Sequence, residues 1–252
     1  MARIIRKGIS LEQEYFGYQT QIKQKGILAL GLLGGGILLG LIAMLAELGV
    51  LLVLAIVPSI IAIVLFASVA PLKSKMDILQ SGIEGENITN SYIALLPETY
   101  TAFRNLRVAY AGKSSEIDTF IIGPTGAFVV ETKHLNGTIY GTANDAYWTQ
   151  YKVGRAGTPY TKTFYSPVKQ VNTHVYRIAN YLREHGIRTY VNSAVYFSNN
   201  TTAVQISGTD PRTPVFSASN NGANHLLHHI LNHPQQVSPE ECKQIITLLQ
   251  NT

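Results

Sequence analysis

The hydrophobic pattern divides the chain into an apolar part and an alternating part. The apolar part holds an uncharged run of 21 residues at 26–46 and a second run at 48–70. A helix rises about 1.5 Å per residue, so either run covers the roughly 30 Å of a membrane's hydrocarbon core. The pattern predicts a transmembrane helical hairpin over 26–72 that turns at Glu47 and Gly49. The alternative, a buried soluble hairpin, is disfavoured because such long apolar runs are rare in soluble cores.

The alternating part predicts a soluble domain over 77–252, made of helices and strands. Helices are expected at 77–96, 168–185, 222–231 and 239–250, and strands at 101–110, 116–123, 127–133, 189–197, 203–206 and 214–216. The stretch 141–165 is rich in Gly, Tyr and Thr, shows no clear periodicity, and is predicted to be a loop that flanks a site. This order of elements implies an α/β fold in which helices flank a mixed sheet.

The distribution of charge places most of the net +5 beside the apolar runs. Residues 1–76 hold 7 Lys+Arg and 3 Asp+Glu, whereas residues 77–252 hold 13 and 12. Basic residues lie on both sides of the hairpin, and its turn has none. Because basic residues favour the cytoplasmic side of a membrane, this pattern predicts that both termini and the soluble domain are cytoplasmic. Residues 1–25 then form a basic cytoplasmic segment of a multi-pass protein of the plasma (inner) membrane. The single cysteine, Cys242, excludes an intramolecular disulfide and fits a reducing compartment.

Glycines recur at GxxxG spacing in the first apolar run. The two pairs are Gly31 with Gly35 and Gly36 with Gly40. Small residues at this spacing allow two helices to approach closely. Packing within the hairpin and homodimerisation through the Gly-rich helices are the two interpretations.

Two acidic residues and a lysine are predicted to share one surface of the sheet. Side chains alternate along a strand, so Glu131 and Lys133 point the same way. A hairpin of strands 116–123 and 127–133 brings Asp118 beside Glu131. Clustered carboxylates repel each other unless a divalent cation lies between them, and oxygen ligands suit Mg²⁺ or Mn²⁺. The alternative is an ordinary surface ion pair.

Five segments of the soluble part form a recognisable series, in this order: Gly82-Ile83-Glu84-Gly85-Glu86, Glu116-Ile117-Asp118, Gly123 to Lys133 (GPTGAFVVETK), Trp148, and Pro167-Val168-Lys169-Gln170. Together they resemble the nuclease-related domain (NERD) family of the PD-(D/E)XK nuclease superfamily. The likeness covers roughly residues 82–196. It implies a restriction-endonuclease-like fold, a mixed sheet between helices.

The resemblance also implies roles for individual residues. It makes Asp118, Glu131 and Glu86 ligands of Mg²⁺ or Mn²⁺, and Lys133 the catalytic lysine. It places Gln170 on the following helix, where it holds a ligand phosphate or Lys133, with a helix-capping role as the alternative. His174 follows one turn later on the same helix face, at a position where related nucleases often have tyrosine.

Weaker candidates lie outside this set. His225, His228, His229 and His233 include helical i,i+4 spacings compatible with a metal, with a solvated or packing role favoured. Trp148 and the tyrosines of 147–165 could stack on the bases of single-stranded nucleic acid, or pack within the protein.

These observations support two functions of different class. The preferred one is a membrane-anchored, divalent-metal-dependent nuclease that hydrolyses phosphodiester bonds. The alternative is a catalytically silent nuclease-fold module that binds nucleic acid or a protein partner at the membrane. The expected partners are nucleic acid, with DNA favoured over RNA, and the lipid bilayer.

Overall fold

The computed structural model describes residues 1–47, 49–154, 157–208 and 210–252. The chain divides into two compact units, one formed by Met1–Ile9 with Gly82–Thr252 and the other by Ser10–Ser81. The predicted boundaries 1–25, 26–72 and 77–252 differ from this division, because the first residues join the α/β unit. Leu48, the predicted start of the second apolar run, lies outside the described residues.

The helical unit is a hairpin of helices α1 (Ser10–Leu45) and α2 (Gly49–Ala67), followed by the first part of α3 (Val69–Ile93). Two stretches are long and apolar enough to cross a membrane, Leu11–Leu45 and Leu54–Ile93. Only 17% and 11% of their most apolar windows are buried within the protein, so these helices expose their apolar side chains. A soluble core helix would be mostly buried.

Glycines let α1 and α2 approach closely at one point. A Cβ on Gly36 would lie 2.6 Å from Ser59 Oγ and 3.0 Å from the Ala55 carbonyl oxygen, and one on Gly40 would touch the Ala55 side chain. Packing within the hairpin therefore accounts for this GxxxG pair. A Cβ on Gly31 would meet nothing within 4 Å.

The α/β unit is built on a six-stranded mixed sheet. Its strands are β1 (Arg3–Arg6), β2 (Thr101–Tyr110), β3 (Lys113–Gly123), β4 (Gly126–Lys133), β8 (Val191–Phe197) and β10 (Val215–Ser217), in that spatial order. Strands β2, β3 and β4 are antiparallel neighbours, while β1, β8 and β10 each run parallel to the strand they pair with. The central strands of this sheet have nearly continuous hydrophobic sequences because both faces of the sheet are covered.

Helices cover the two faces of this sheet. Helices α4 (Pro167–Glu184) and α6 (Pro239–Gln250) pack on the face that carries Phe120 and Val129. The end of α3 and helix α5 (Gly222–Leu231) pack on the face that carries Ile121 and Val130. Alternation along each strand thus divides the core into two layers.

The stretch 141–165, predicted to be a loop, forms most of a second sheet. Strands β5 (Thr138–Thr142), β6 (Tyr147–Val153), β7 (Pro159–Tyr165) and β9 (Ala203–Ser207) lie in the order β7-β6-β5-β9. Trp148 is fully buried and stacks on Phe197, with ring centroids 6.3 Å apart. Only glycine fits at 141, where a Cβ would lie 2.4 Å from the Trp148 ring. The loop prediction was wrong because short strands that alternate Tyr and Thr show a weak hydrophobic period.

The structure confirms the predicted fold class. The protein is mixed α/β, with sheets flanked by helices and preceded by two long apolar helices. The elements at 101–110, 222–231 and 239–250 have the predicted bounds, and β3, β4, β8 and β10 differ from their predicted bounds by one to three residues. Strand β1 was not predicted, because residues 1–25 were assigned to a basic cytoplasmic segment.

Replacing Trp148 with alanine tests the contact between the two sheets. Removing a fully buried indole costs about 3 to 5 kcal/mol, so we expect Trp148→Ala to lower the melting temperature of the full-length protein in detergent by roughly 10 °C. Differential scanning calorimetry measures this. Tyr147→Ala, at the exposed neighbouring position, is the control and should melt within about 2 °C of wild type. Equal melting of both variants would contradict the packing described for the second sheet.

Candidate active site

Two carboxylates face each other where the β3–β4 ladder ends. The last backbone pair on this side of the hairpin is Thr119 with Val130, so Asp118 and Glu131 stand opposite each other one residue further. The Thr132 N–H donates to Asp118 Oδ2 at 2.8 Å. The Asp118 carboxylate thereby accepts a hydrogen bond that a backbone carbonyl would accept if the ladder continued. The backbone pairing of the two strands ends at the two carboxylates.

Lys133 is held between an acid and an amide. Its Nζ donates to Glu131 Oε1 at 2.6 Å and to Gln170 Oε1 at 3.0 Å. Gln170 reaches the site because α4 begins there: Pro167 occupies the first turn and Ser166 caps the helix. The Gln170 side chain thus contacts Lys133 and has no capping role, since Ser166 accepts from the Lys169 N–H.

His174 approaches the same acid from the next turn of α4. Its Nε2 lies 3.4 Å from Glu131 Oε2, an ion-pair distance without hydrogen-bond geometry. Glu131 is only 1% exposed, and its Oε2 has no hydrogen-bond donor among the described residues. A buried carboxylate oxygen without a donor is costly unless a cation or water reaches it.

Glu86 reaches the site region from α3. It is buried and accepts a 2.8 Å hydrogen bond from Asn105 Nδ2 on β2, whereas its neighbour Glu84 is exposed. Gly85 allows the close approach, because a Cβ there would lie 2.5 Å from the His134 Cβ. Positions 84 and 86 lie about 200° apart around a helix, so only one of the two acids can face the site.

Asn105 is a site residue that the sequence analysis missed. It interrupts the β2–β3 ladder between the pairs Arg104 with Thr119 and Leu106 with Ile117, directly opposite Asp118. Its φ of 51° lies in the left-handed region, which asparagine tolerates better than most residues. One signal was present, since asparagine is depleted in strands and here interrupts a run of strand-forming residues.

The ionisable groups of the site differ in the direction of their pKa shifts. Burial, and next the negative charge of Glu131, raise the pKa of Asp118 well above its usual value. Burial opposes ionisation of Glu131, but the charge of Lys133 and the contact with His174 outweigh it and lower the pKa of Glu131. Burial likewise acts against charged Lys133, yet Glu131 and then Asp118 raise its pKa. The site therefore keeps an ionised Glu131–Lys133 pair, and of the two facing carboxyl groups Asp118 is the one whose ionisation is disfavoured.

The donors fit a divalent cation that also binds water and substrate. Among the described residues, no three His, Cys, Asp or Glu side chains converge closely enough to enclose a metal. Mg²⁺ does not require enclosure, because it is typically held by one or two carboxylates, waters and substrate phosphates. A divalent cation held between Asp118 and Glu131 would give Glu131 Oε2 a partner and would favour ionisation of Asp118.

The remaining candidates are partly packed and partly exposed: His225, His228 and the tyrosines of 147–165 are exposed, whereas His229 and Trp148 pack within the protein. His229 lies against Phe128 and Phe216, and burial followed by the charge of His233 lowers its pKa. Trp148 is buried and its Nε1 donates to the Thr142 carbonyl at 2.8 Å. Trp148 is therefore not available to stack on a base.

Comparisons with known proteins agree with this geometry. The model of the nuclease-related domain family matches residues 81–198. An uncharacterized protein of Bacillus anthracis is 39% identical over 71 residues, which cover 27% of this chain and about a third (34%) of that protein. No solved structure matches the chain significantly. The matched segment contains every residue of the candidate site, so the site lies within a nuclease-related domain (NERD) match at residues 81–198.

Proposed function

We propose that the protein is a membrane-anchored, divalent-metal-dependent nuclease that hydrolyses phosphodiester bonds. The observation that carries the proposal is the constellation at the end of the β3–β4 hairpin: Asp118 opposite a buried Glu131, with Lys133 held between Glu131 and Gln170. The NERD match at residues 81–198 supports nuclease chemistry at this constellation.

In this proposal Asp118 and Glu131 hold Mg²⁺ or Mn²⁺. Glu86, on α3, is the third acidic residue that holds the cation, and its contact with Asn105 positions it. When bound, such a cation lowers the pKa of a water molecule and stabilises charge on phosphate oxygens. Lys133, kept protonated by its acidic neighbours, neutralises the scissile phosphate and orients the attacking water. Gln170 fixes the position of Lys133, and His174 restrains the far oxygen of Glu131.

The anchoring is proposed from the two apolar helices. Their exposed apolar surface supports insertion in a bilayer, and the basic residues that flank them favour a cytoplasmic location for both termini at a plasma (inner) membrane. Gly31 and Gly35 face away from the packing point with α2 and are available for a homodimer contact. Nucleic acid that reaches the membrane, DNA in preference to RNA, is the proposed substrate.

A silent binding module is the second candidate. One observation favours it: no three metal-binding side chains converge among the described residues, and Lys133 already neutralises Glu131. Such a module would bind nucleic acid or a protein without hydrolysis, and without need of a cation.

Metal binding and cleavage separate the two functions. We expect the full-length protein in detergent to bind Mg²⁺ or Mn²⁺ in calorimetry and to cleave mixed DNA and RNA. Asp118→Asn and Glu131→Gln should lose metal binding and reduce cleavage by at least about 100-fold. Glu84→Gln, at an exposed acid two residues before Glu86 on α3, is the matched control and should behave as wild type. Folded wild-type protein that binds no cation would leave the silent module as the function.

The role of Gln170 is tested by removing and then restoring its acceptor oxygen. Gln170→Ala frees Lys133, so we expect kcat to fall about tenfold, the cost of one hydrogen bond to a charged group, with the Kd for Mg²⁺ unchanged. Gln170→Glu keeps an oxygen within reach of Lys133 and should retain most of the activity. Equal losses in both variants would show that Gln170 acts in some other way than through Lys133.

The raised pKa of Asp118 predicts a pH-dependent stability in the absence of metal. Folding favours the protonated form, so the stability contributed by Asp118 is present at low pH and is lost as the pH rises through its folded pKa. In EDTA, Asp118→Asn should therefore melt a few degrees above wild type at pH 8, with a difference that vanishes near pH 3.5. Added Mg²⁺ should raise the melting temperature of wild type only. A difference independent of pH would refute this account.

A further inference from the structure

One stripe of α4 continues beyond the candidate site. Gln170 on this stripe contacts Lys133. One turn later His174 approaches Glu131, and Arg177 follows three positions after His174. Positions 170, 174 and 177 lie within about 60° of each other around a helix, so their side chains share one face. The stripe therefore leads from the residues proposed to act on phosphate to a guanidinium group.

The end of the β2–β3 hairpin faces Arg177. The Arg177 Nη1 donates a hydrogen bond to the hydroxyl of Ser115, which is buried on β3. Ser115 is three residues from Asp118, a distance of about 10 Å along a strand. Because side chains alternate along a strand, Lys113 lies on the same face as Ser115, roughly 7 Å further from Asp118. The hairpin and α4 thus place two cationic side chains on one surface.

Two aromatic rings connect α4 to this end of the hairpin. Tyr110 is the cross-strand partner of Lys113, and its ring meets the Tyr176 ring edge to face, with centroids 5.8 Å apart. Aromatic pairs of this geometry are stabilising. Tyr176 directly precedes Arg177 and is 60% exposed. The ring contact keeps Lys113 and Arg177 on the same side of the sheet, and these four residues are here called the hairpin-end cluster.

The cations of the hairpin-end cluster are not neutralised by ion pairs. Among the described residues, no carboxylate lies within ion-pair distance of Lys113 or Arg177. Glu116 points to the opposite face of the hairpin, where it pairs with Arg107 at 3.3 Å. The acidic residue of α4, Glu184, lies about two turns beyond Arg177. The cluster therefore presents positive charge in line with the acidic site.

We infer that the hairpin-end cluster binds the phosphate backbone of the nucleic-acid substrate beside the scissile bond. The inference rests on the proposed nuclease function. Asp118 and Glu131 repel a polyanion, so positive charge on the same surface is needed to hold it there. Arg and Lys neutralise phosphates, and the planar guanidinium of Arg matches their geometry.

The position of the cluster sets which phosphate it contacts. Phosphates of one strand are about 3.4 Å apart along the axis of B-form DNA. Ser115, which holds Arg177, is about 10 Å from Asp118 along β3. A strand whose scissile phosphate lies at Asp118 would therefore bring a phosphate about three nucleotides away to Arg177.

Salt-dependent binding of a fluorescein-labelled 20-base-pair DNA duplex to the full-length protein in detergent tests the inference. EDTA prevents metal-dependent cleavage during the anisotropy measurement. The logarithm of the affinity falls with the logarithm of the salt concentration, by about 0.9 per neutralised phosphate. Lys113→Gln/Arg177→Gln should therefore bind about 10- to 100-fold more weakly at 100 mM salt, with a slope less steep by about 1.8. An unchanged slope, or no binding of the duplex by wild type, would overturn the inference.

Matched variants separate phosphate contacts from general effects of charge and folding. Lys162→Gln/Lys243→Gln removes two exposed cations of other elements and should keep the wild-type slope within about 0.3. Lys113→Arg/Arg177→Lys keeps both charges and should restore the slope. Lys113→Gln alone leaves the bond between Arg177 and Ser115 intact and should reduce the slope by about 0.9. Equal changes in the two double glutamine variants would show general attraction and contradict a specific contact.

The binding test is independent of the proposed function. Asp118→Asn should bind the duplex in EDTA with the wild-type slope, even though cleavage is lost. Metal-dependent cleavage by wild type, with an unchanged slope in Lys113→Gln/Arg177→Gln, would refute the cluster alone. A reduced slope in that variant, without cleavage by wild type, would refute the nuclease and keep the cluster as a nucleic-acid contact.

A labelled poly-glutamate of 20 residues distinguishes nucleic acid from an acidic peptide. It carries negative charge on a peptide backbone and has no phosphate. Weak binding that is equal in wild type and in Lys113→Gln/Arg177→Gln supports the inference. Binding that is tighter than that of the duplex and is lost in the variant would assign the cluster to an acidic peptide and overturn the inference.

Discussion

The register of the β3–β4 hairpin is the constraint on which the candidate site depends. Pairing of Thr119 with Val130 puts Asp118 opposite Glu131, and the two-residue period then puts Lys133 on the same face. A slip of one residue would turn one of the acids toward α3. The short turn between Gly123 and Gly126 holds the register, and the ladder opens only where the side chains must diverge.

The site is assembled at some cost to stability. Two carboxylates share a buried space, burial raises the pKa of Asp118, and Asn105 takes a left-handed conformation in the middle of a strand. Such features persist only where the surrounding structure enforces them, and they concentrate at functional sites. Here the enforcement comes from well-packed layers on both sides of the sheet, through α4 on one face and α3 on the other.

The second sheet gives the α/β unit of this chain an additional surface. On the buried face of this sheet Trp148 stacks on Phe197, so substitutions on the outer face leave this core contact intact. The insertion begins after Lys133 and ends before Gln170, and its inner face packs on Phe197, which pairs with Lys133. The apolar helices belong to the other compact unit, and two stretches of it are long and apolar enough to cross a membrane.

The sequence by itself determined the elements that have strong periods and local signals. The two apolar helices, the β3–β4 hairpin and the bounds of α5 and α6 follow from run length and alternation. These suffice to place Asp118, Glu131 and Lys133 on one surface, because a hairpin is a local structure. The family resemblance added Glu86 and Gln170.

Only the tertiary structure decided what depends on contacts between distant segments. The role of Asn105 requires β2, β3 and α3 to meet, and the contact of Gln170 with Lys133 requires α4 to pack on the sheet. The second sheet could not be recognised because its Tyr/Thr alternation has little hydrophobic contrast, and because its strand β9 comes from residues about 60 positions away. Long-range pairing leaves no periodic signal in the sequence, so these features appear only when the chain is folded.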